Sequence, residues 1–204
     1  WIMEHWSKTP GQLVTSTYCF AAFSSCFMSE HAVAVILFPV IHEIAQSLNL
    51  KRDNSVFGKS MYFAMAWGCI IGGAMTVLGG GRVLLGVEML EKATAGQQTL
   101  EILQYTKLSF PLVILLFAGG WVALKVLFPS DIQNIDRARK ALKQKALVMG
   151  KLTFQEKGIA LVMAATLFCW FGYGDQLGIA NIAIISIVLL FVLNLITWKM
   201  VEAH

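Results

Sequence analysis

Charged residues are scarce in this sequence. Asp, Glu, Lys and Arg make up 14% of the 204 residues, whereas soluble domains usually contain about 25%. Hydrophobic residues make up 57%, and several apolar runs reach the roughly 20 residues that cross a bilayer. This composition excludes an ordinary soluble domain. We predict an all-α, multi-pass integral membrane protein, and we expect it in the plasma or inner membrane.

Motifs for metal, redox and protease chemistry are also lacking. The four cysteines lie in apolar segments without a CxxC spacing, which is typical of buried structural thiols: Cys19, Cys26, Cys69 and Cys169. His42-Glu43 is followed by Gln46, where the zinc-protease motif requires a second His. Because no catalytic or metal-binding set is complete, we predict neither an enzyme nor a resident cofactor.

Basic residues are few and cluster in two loops. Seven of the 16 Lys and Arg lie in loop 129–157, and three lie in loop 49–59. Basic loops beside apolar spans mark the cytoplasmic side of a membrane. We therefore predict that both loops are cytoplasmic and that segments 93–107 and 172–180 are external. The net charge of +4 is explained by this topology, so no nucleic-acid partner is predicted.

The first polar interruption, Ser29-Glu30-His31, divides an apolar stretch into Leu13–Met28 and Ala32–Leu48. Each half is short for a full span. Two short helices that meet at a polar tip are typical of a re-entrant hairpin, which is tolerated at membrane depth where protein or a water-filled cavity covers it.

The second interruption, Gly79-Gly80-Gly81-Arg82, divides the apolar segment 60–91. Three successive glycines are unfavourable inside a helix, because each costs roughly 1 kcal/mol relative to Ala. The pattern predicts one transmembrane helix broken into two parts. The first part ends at about Val77, and the second runs from Leu84 to Lys92.

The remaining chain is predicted to contain one span, a basic amphipathic helix on the membrane surface and two further spans: Leu108–Phe128, Asp131–Met149, 158–174 and 181–198. The sequence thus divides into three regions, namely a hairpin and broken-helix transport half, a cytoplasmic connector and two spans that open a second repeat: 1–128, 129–157 and 158–204.

We predict that the two breaks face each other and form half of a transport site. A broken helix frees N–H groups at one start, which attract anions, and carbonyl groups at one end, which attract cations. An ionisable residue within the membrane is a functional-site hypothesis by default. The candidate substrate- or ion-binding residues are Ser25, Ser29, Glu30, His31, Thr76, Gly79, Gly80, Gly81 and Arg82. Two structural alternatives remain: Glu30 and Arg82 form a buried ion pair that bridges the breaks, and His31 only caps a helix.

At the first break the sequence resembles the divalent anion/sodium symporter family, which contains dicarboxylate and sulfate carriers. That family has a hairpin tip Ser-Asn-Thr followed by an Ala-rich helix and a proline. This chain has Ser29-Glu30-His31, followed by Ala32, Ala34 and Pro39. The order of one span, a basic connector and two spans is also similar to the end of the family's first repeat and the start of its second.

The second break carries the same resemblance. The family's broken helix contains Gly-Gly-x-x-Thr-x-x-Gly-Thr-x-x-Asn, and four positions match: Gly72, Gly73, Thr76 and Gly79. The chain departs from the pattern at Gly80, Val83 and Glu30, which replace Thr, Asn and Asn respectively. Because the family's Asn side chain and tip backbone help to hold sodium, these departures leave proton and sodium coupling both open.

The resemblance implies about half of a secondary active transporter that moves small anions of the dicarboxylate or sulfate type. Sodium or a proton is the candidate coupling ion. The expected partners are the lipid bilayer and a small anionic substrate, and a homodimer is a candidate assembly. If desolvation has the larger effect on Glu30, this residue takes up a proton with the substrate. If the positive charge of Arg82 has the larger effect, Glu30 stays ionised. The alternative function is a non-transporting structural or assembly subunit of a membrane complex.

Overall fold

The computed structural model describes residues 9–50, 55–97, 100, 102–132, 134–149 and 153–198. The predicted basic positions Lys51, Arg52 and Lys151 lie outside these residues. The described part of the chain contains eight α-helices: α1 Pro10–Ser25, α2 Glu30–Ser47, α3 Val56–Gly73, α4 Gly81–Ala93, α5 Ile102–Leu127, α6 Asp136–Met149, α7 Phe154–Leu177 and α8 Ile179–Val192. The all-α prediction is confirmed for these residues.

The helices group into two compact units. The first comprises residues 1–100 and 104–149, and the second comprises 101–103 and 150–204. By length and composition, one described helix could cross a membrane unaided, Leu103–Leu127, and Ala180–Val192 is a shorter apolar helix. The other helices of the first unit have 13 to 18 residues.

The first unit is organised by the close packing of α1 against α3. Gly68 and Gly72 form a GxxxG motif on α3, which lets helix backbones approach closely. A Cβ atom added to Gly68 would lie 2.7 Å from the Tyr18 carbonyl oxygen, and one added to Gly72 would overlap the Ala22 carbonyl. The glycines are therefore needed for the contact that brings the two breaks together.

The apolar face of α2 packs against α3 and α6. Its buried residues recur at helical spacing and form one stripe: Val33, Leu37, Ile41 and Ile44. On the α6 side, Ile135 and Ala138 are 2% and 0% exposed and belong to the same core. The basic helix α6 is thus held to the hairpin by its own apolar face.

The start of α3 is fixed by a residue far along the chain. Asp131 accepts hydrogen bonds from the N–H groups of Val56 and Phe57, at 3.0 and 2.8 Å. Partial burial would raise the pKa of the Asp131 carboxyl, but these backbone hydrogen bonds outweigh burial and hold the pKa below its usual value. The carboxylate also interacts favourably with the positive end of the helix dipole.

Several predicted helix ends in the first unit are wrong. Helix α1 ends at Ser25 rather than Met28, and α3 ends at Gly73 rather than Val77. Helix α4 begins at Gly81 rather than Leu84, and α5 begins six residues before Leu108. Both breaks therefore start earlier than predicted, because hydrogen bonds between the breaks replace the last turns of α1 and α3.

The second unit contains α7 and α8, which pack against each other. Thr166 donates to Ser186 across this contact at 2.7 Å. The spans predicted at 158–174 and 181–198 imply a turn at 172–176, and this is wrong, because α7 continues to Leu177 and only Gly178, with a φ of 78°, separates it from α8. Helix α8 ends at Val192 rather than 198, and Asn194 follows with a φ of 52°, a conformation that Asn tolerates.

Candidate functional site

Hydroxyl groups close the helix ends at the two breaks. Ser25, which is fully buried, donates to the Cys69 carbonyl of α3 at 2.8 Å. Thr76 donates to the Cys26 carbonyl at 2.6 Å and accepts from the Gly79 N–H at 3.2 Å. Ser25 therefore joins the first break to α3, and Thr76 joins the second break to the residue that follows α1. Both residues were predicted to bind substrate or ion, and both use their hydroxyl proton in a hydrogen bond within the protein.

Two further hydroxyls reach the second break from α5. Tyr105 donates to the Ala74 carbonyl at 3.0 Å. The Ser109 hydroxyl lies 3.0 Å from the Met75 carbonyl and 2.9 Å from the Tyr105 carbonyl of its own helix, and it can donate to either. The Ala74 and Met75 carbonyls follow the end of α3 and would otherwise lack helical partners. Sequence reasoning missed both residues. The signal available was a pair of hydroxyls one helical turn apart at the start of an apolar span.

A backbone hydrogen bond joins the two breaks directly. The Glu30 N–H at the start of α2 donates to the Gly79 carbonyl at 3.0 Å. Gly79 is packed so closely here that an added Cβ atom would lie 2.5 Å from the Ser25 carbonyl oxygen. The close approach explains why glycine occupies this position. The sequence-based hypothesis that the two breaks face each other is supported by this contact.

The charged groups of the breaks meet at the same place. Arg82 Nη2 donates to Glu30 Oε2, and His31 Nδ1 lies 3.8 Å from Glu30 Oε1. The Glu30 side chain is only 9% exposed, whereas the Arg82 and His31 side chains are 67% and 86% exposed. The carboxylate is thus held inside, and the guanidinium and the imidazole lie at the accessible side.

The starts of α2 and α4 lack side-chain caps. Ser29 precedes α2 and Gly80 precedes α4, and neither N-cap residue makes a side-chain capping hydrogen bond. By contrast, Thr9 and Ser55 cap α1 and α3. The Glu30 N–H is already bonded to the Gly79 carbonyl. N–H groups without a side-chain cap, together with the helix dipole, favour a bound anion. The predicted residue Gly81 is the first residue of α4, where an added Cβ atom would meet nothing within 4 Å.

A cavity of about 580 Å³ adjoins the second break. Its lining includes Gly73, Gly80, Arg82, Val83 and Tyr105. Arg82 is the charged residue of this lining, and its guanidinium is paired with Glu30. Within the residues that the structure describes, no cluster of three or more His, Cys, Asp or Glu could hold a metal ion. The arrangement is suited to a small anion.

Known proteins resemble the chain along most of its length. The protein is 21% identical over 177 residues to the sodium-dependent dicarboxylate transporter SdcS of Staphylococcus saprophyticus, covering 83% of this chain and 34% of that protein. It is 22% identical over 156 residues to SdcS of Staphylococcus aureus, covering 72% of this chain and 30% of that protein. The chain therefore spans about a third of the length of these relatives.

The family assignment rests on a match that covers nearly the whole chain. Residues 13–204 match the family described as the sodium:sulfate symporter transmembrane region. The match includes both breaks, α5, the basic helix and both helices of the second unit. Together with the dicarboxylate transporters above, it confirms the resemblance inferred from the two breaks. The chain belongs to the sodium:sulfate symporter family of integral membrane transport proteins.

Proposed function

We propose that this chain is part of a secondary active transporter that moves small anions of the dicarboxylate or sulfate type across a membrane. The observation that carries the proposal is the convergence of two uncapped helix starts, α2 and α4, beside Arg82. Transporters bind anionic groups at half-helix starts near the membrane midplane. The names of the relatives and of the family agree with this substrate class.

The substrate is expected to bind on the accessible side of the ion pair. Glu30 and Arg82 neutralise each other in formal charge, so the two helix starts and an exposed His31 supply the attraction for the anion. Ser29 and Gly81 flank this position and can offer N–H groups. Thr76, Gly79 and Ser25 lie behind it and hold the breaks together.

The site is half of a complete transport site in this proposal. None of the residues of α4 is buried within the described structure, so α4 offers a surface for other parts of the transporter. Paired repeats build midplane sites in many carriers, and the chain covers about a third of its relatives. The full-length protein should therefore transport, and the 204 residues in isolation should give no uptake above empty liposomes.

The topology is a further part of the proposal. We expect α1 and α2 to form a re-entrant hairpin, with loops 49–59 and 129–157 cytoplasmic because of their basic residues. Regions 1–128, 129–157 and 158–204 are the proposed transport half, connector and opening of a second repeat. Single cysteines at Ser55 and Ser130 in a Cys-free background should react with an impermeant reagent only from the inside. Labelling from outside intact cells would overturn this orientation.

Coupling is proposed to run through Glu30. Its side chain is nearly buried, and alternating access would wet and dry it in each cycle. A carboxylate that takes up a proton in the dry state can carry that proton with the substrate. Sodium is the second candidate, because the two relatives are named as sodium-dependent, and Glu30 would then be a cation ligand.

The test is uptake of labelled succinate and sulfate by the full-length protein in proteoliposomes with imposed proton or sodium gradients. Glu30→Gln should abolish the dependence of uptake on the proton gradient while leaving substrate exchange intact. Glu91→Gln, an exposed carboxylate on α4, is the matched control. Unchanged proton dependence in Glu30→Gln would contradict proton coupling, and sodium-dependent uptake in the wild type would support the cation-ligand alternative.

A structural role is the alternative function, and the Glu30–Arg82 ion pair is the observation that favours it. Polar groups inside a bilayer need partners, and this pair bridges the two breaks. If the protein is a non-transporting subunit, the full-length wild type should give no uptake of either anion under any gradient. Exchange of succinate or sulfate by the wild type would exclude this alternative.

A further inference from the structure

A groove between α1 and α5 lies apart from both breaks and has no role in the function proposed above. Its volume is about 810 Å³, and its lining extends along α1 from Gln12 to Phe23. The helical rise between these residues is about 16 Å at 1.5 Å per residue. This length is close to half of the roughly 30 Å hydrocarbon thickness of a bilayer. The groove is therefore about as long as one leaflet is deep.

The polarity of the groove changes along its length. Thr9 and Gln12 lie at the start of α1, and Phe20 and Phe23 lie towards its end. Opposite the polar end, α5 contributes Lys125 near its last turn. One end can thus accept a polar headgroup and the other end can accept hydrocarbon.

An aromatic residue fixes the polar end. Trp121 donates its indole N–H to the Thr15 hydroxyl at 3.3 Å, and the Lys125 ammonium lies 3.6 Å from the centroid of the Trp121 ring. Trp residues favour the membrane–water interface, and Lys side chains extend their charge towards headgroups from apolar surroundings. In a bilayer, these preferences would bring the Lys125 ammonium to the level of the lipid phosphates.

Among the residues that the structure describes, Lys125 has no acidic partner. The lining contains no Asp or Glu, and Lys125 forms no salt bridge with the described residues. A protein helix that filled the groove would enclose this ammonium and would have to bring its own acidic residue. A phospholipid supplies both the phosphate charge and the apolar chain.

We propose that the groove binds one anionic glycerophospholipid of the leaflet at the Lys125 end. Its phosphate pairs with Lys125, and one acyl chain lies against Cys19, Phe20 and Phe23. The lipid would fill the space between α1 and α5 beside the hairpin.

The first test measures lipid retained by the full-length protein after reconstitution in nanodiscs that contain phosphatidylcholine with a minor fraction of phosphatidylglycerol. Native mass spectrometry should detect phosphatidylglycerol on the wild type. Lys125→Gln should lower its retention by about fivefold, which is the contribution of one Lys near an anionic surface. Lys107→Gln, a change on the same helix outside the groove, should leave retention unchanged. Equal retention in wild type and Lys125→Gln would overturn the proposal.

The second test uses Cys19, an exposed thiol in the groove lining. In a full-length variant with Cys19 as its single cysteine, a membrane-permeant maleimide should react more slowly when phosphatidylglycerol is present than in phosphatidylcholine alone. Lys125→Gln should remove this difference. A thiol that is unreactive in both lipids would show that another segment of the protein fills the groove, and equal reaction in both lipids would show an unselective surface. Either outcome would overturn the proposal.

Discussion

The two kinds of helix end at the breaks differ in how their backbone groups are satisfied. The ends of α1 and α3 present carbonyl groups, and four hydroxyls lie within hydrogen-bonding distance of carbonyls in and beside these ends: Ser25, Thr76, Tyr105 and Ser109. The starts of α2 and α4 present N–H groups, and neither has a side-chain cap. The chain thus uses its own hydroxyls at the carbonyl ends, whereas at the N–H starts the Glu30 N–H bonds the Gly79 carbonyl and the remaining N–H groups are where we propose that an anion binds.

Packing differs in the same way. On the carbonyl side, Gly72 and Gly79 press against the backbone of α1. On the N–H side, Gly81 has open space and the Arg82 side chain is 67% exposed. A change on the carbonyl side should therefore alter folding, and a change on the N–H side should alter ligand binding.

The largest effect is expected on the carbonyl side from Gly72→Ala. The added methyl would overlap the Ala22 carbonyl, and since backbone must move, the cost should be about 3 kcal/mol or more. Thermal unfolding of the full-length protein in detergent should show this as a large fall in Tm. Gly86→Ala on α4, where an added Cβ meets nothing within 4 Å, is the control and should not lower Tm. Similar melting of both variants would refute the close approach.

The next effect is expected on the N–H side from Arg82→Gln. Loss of the guanidinium removes a positive charge beside the two helix starts and leaves the nearly buried Glu30 unpaired. Succinate or sulfate affinity should fall by about 2 kcal/mol, roughly thirtyfold, as measured by equilibrium binding to the full-length protein. Lys92→Gln, at the other end of α4, should bind normally. Equal affinity of the two variants for the anion would show that Arg82 does not contribute to the anion site.

A smaller effect is expected from Ser25→Ala. The change removes the hydrogen bond to Cys69, and a neutral hydrogen bond contributes about 1 kcal/mol. Stability should fall by that amount while anion affinity stays unchanged. Ser24→Ala, the neighbouring change on α1, should have little effect on either quantity. Reduced anion affinity in Ser25→Ala without a change in Tm would show that Ser25 contributes to anion binding and not to stability.

The smallest effect is expected at the start of α3, the end away from the second break, which is capped by Asp131. Its native pKa lies below the ordinary value, so its stabilisation is complete above about pH 3.9 and is lost as pH falls through the native pKa. Asp131→Asn should lower stability near neutral pH by less than about 1 kcal/mol. The difference in Tm between wild type and variant should shrink in acid. A constant difference across pH would show that the charge contributes nothing.

The sequence predicts the existence of both breaks because their causes are local. Three glycines disfavour helix, and Ser29-Glu30-His31 interrupts an apolar run. It misplaces the ends of α1 and α3 because the hydrogen bonds that end them come from the other break. Thr76 and Cys26, for example, are 50 residues apart in sequence. Local propensity carries no information about such a contact.

The supporting residues were harder to predict for the same reason. Tyr105 and Ser109 lie 31 and 34 residues from the carbonyls that they bind, and Asp131 lies 75 residues from Val56. In sequence, Tyr105 and Ser109 look like ordinary residues near the start of a span, and Asp131 looks like a loop residue. Their roles follow from tertiary packing, which brings the start of α5 and the segment after its end to the two ends of α3.

The central claim is that an anion binds at the N–H side of the breaks, and substrate protection tests it most directly. Gly81→Cys in a Cys-free, full-length background places a thiol at the start of α4, where the added side chain has space. Succinate or sulfate at about ten times its Kd should slow modification by a charged thiol reagent about tenfold, whereas Met89→Cys, at an exposed position of α4 outside the cavity lining, should react at the same rate with and without the anion. Modification of Gly81→Cys at an unchanged rate, in a protein that binds the anion, would contradict the claim.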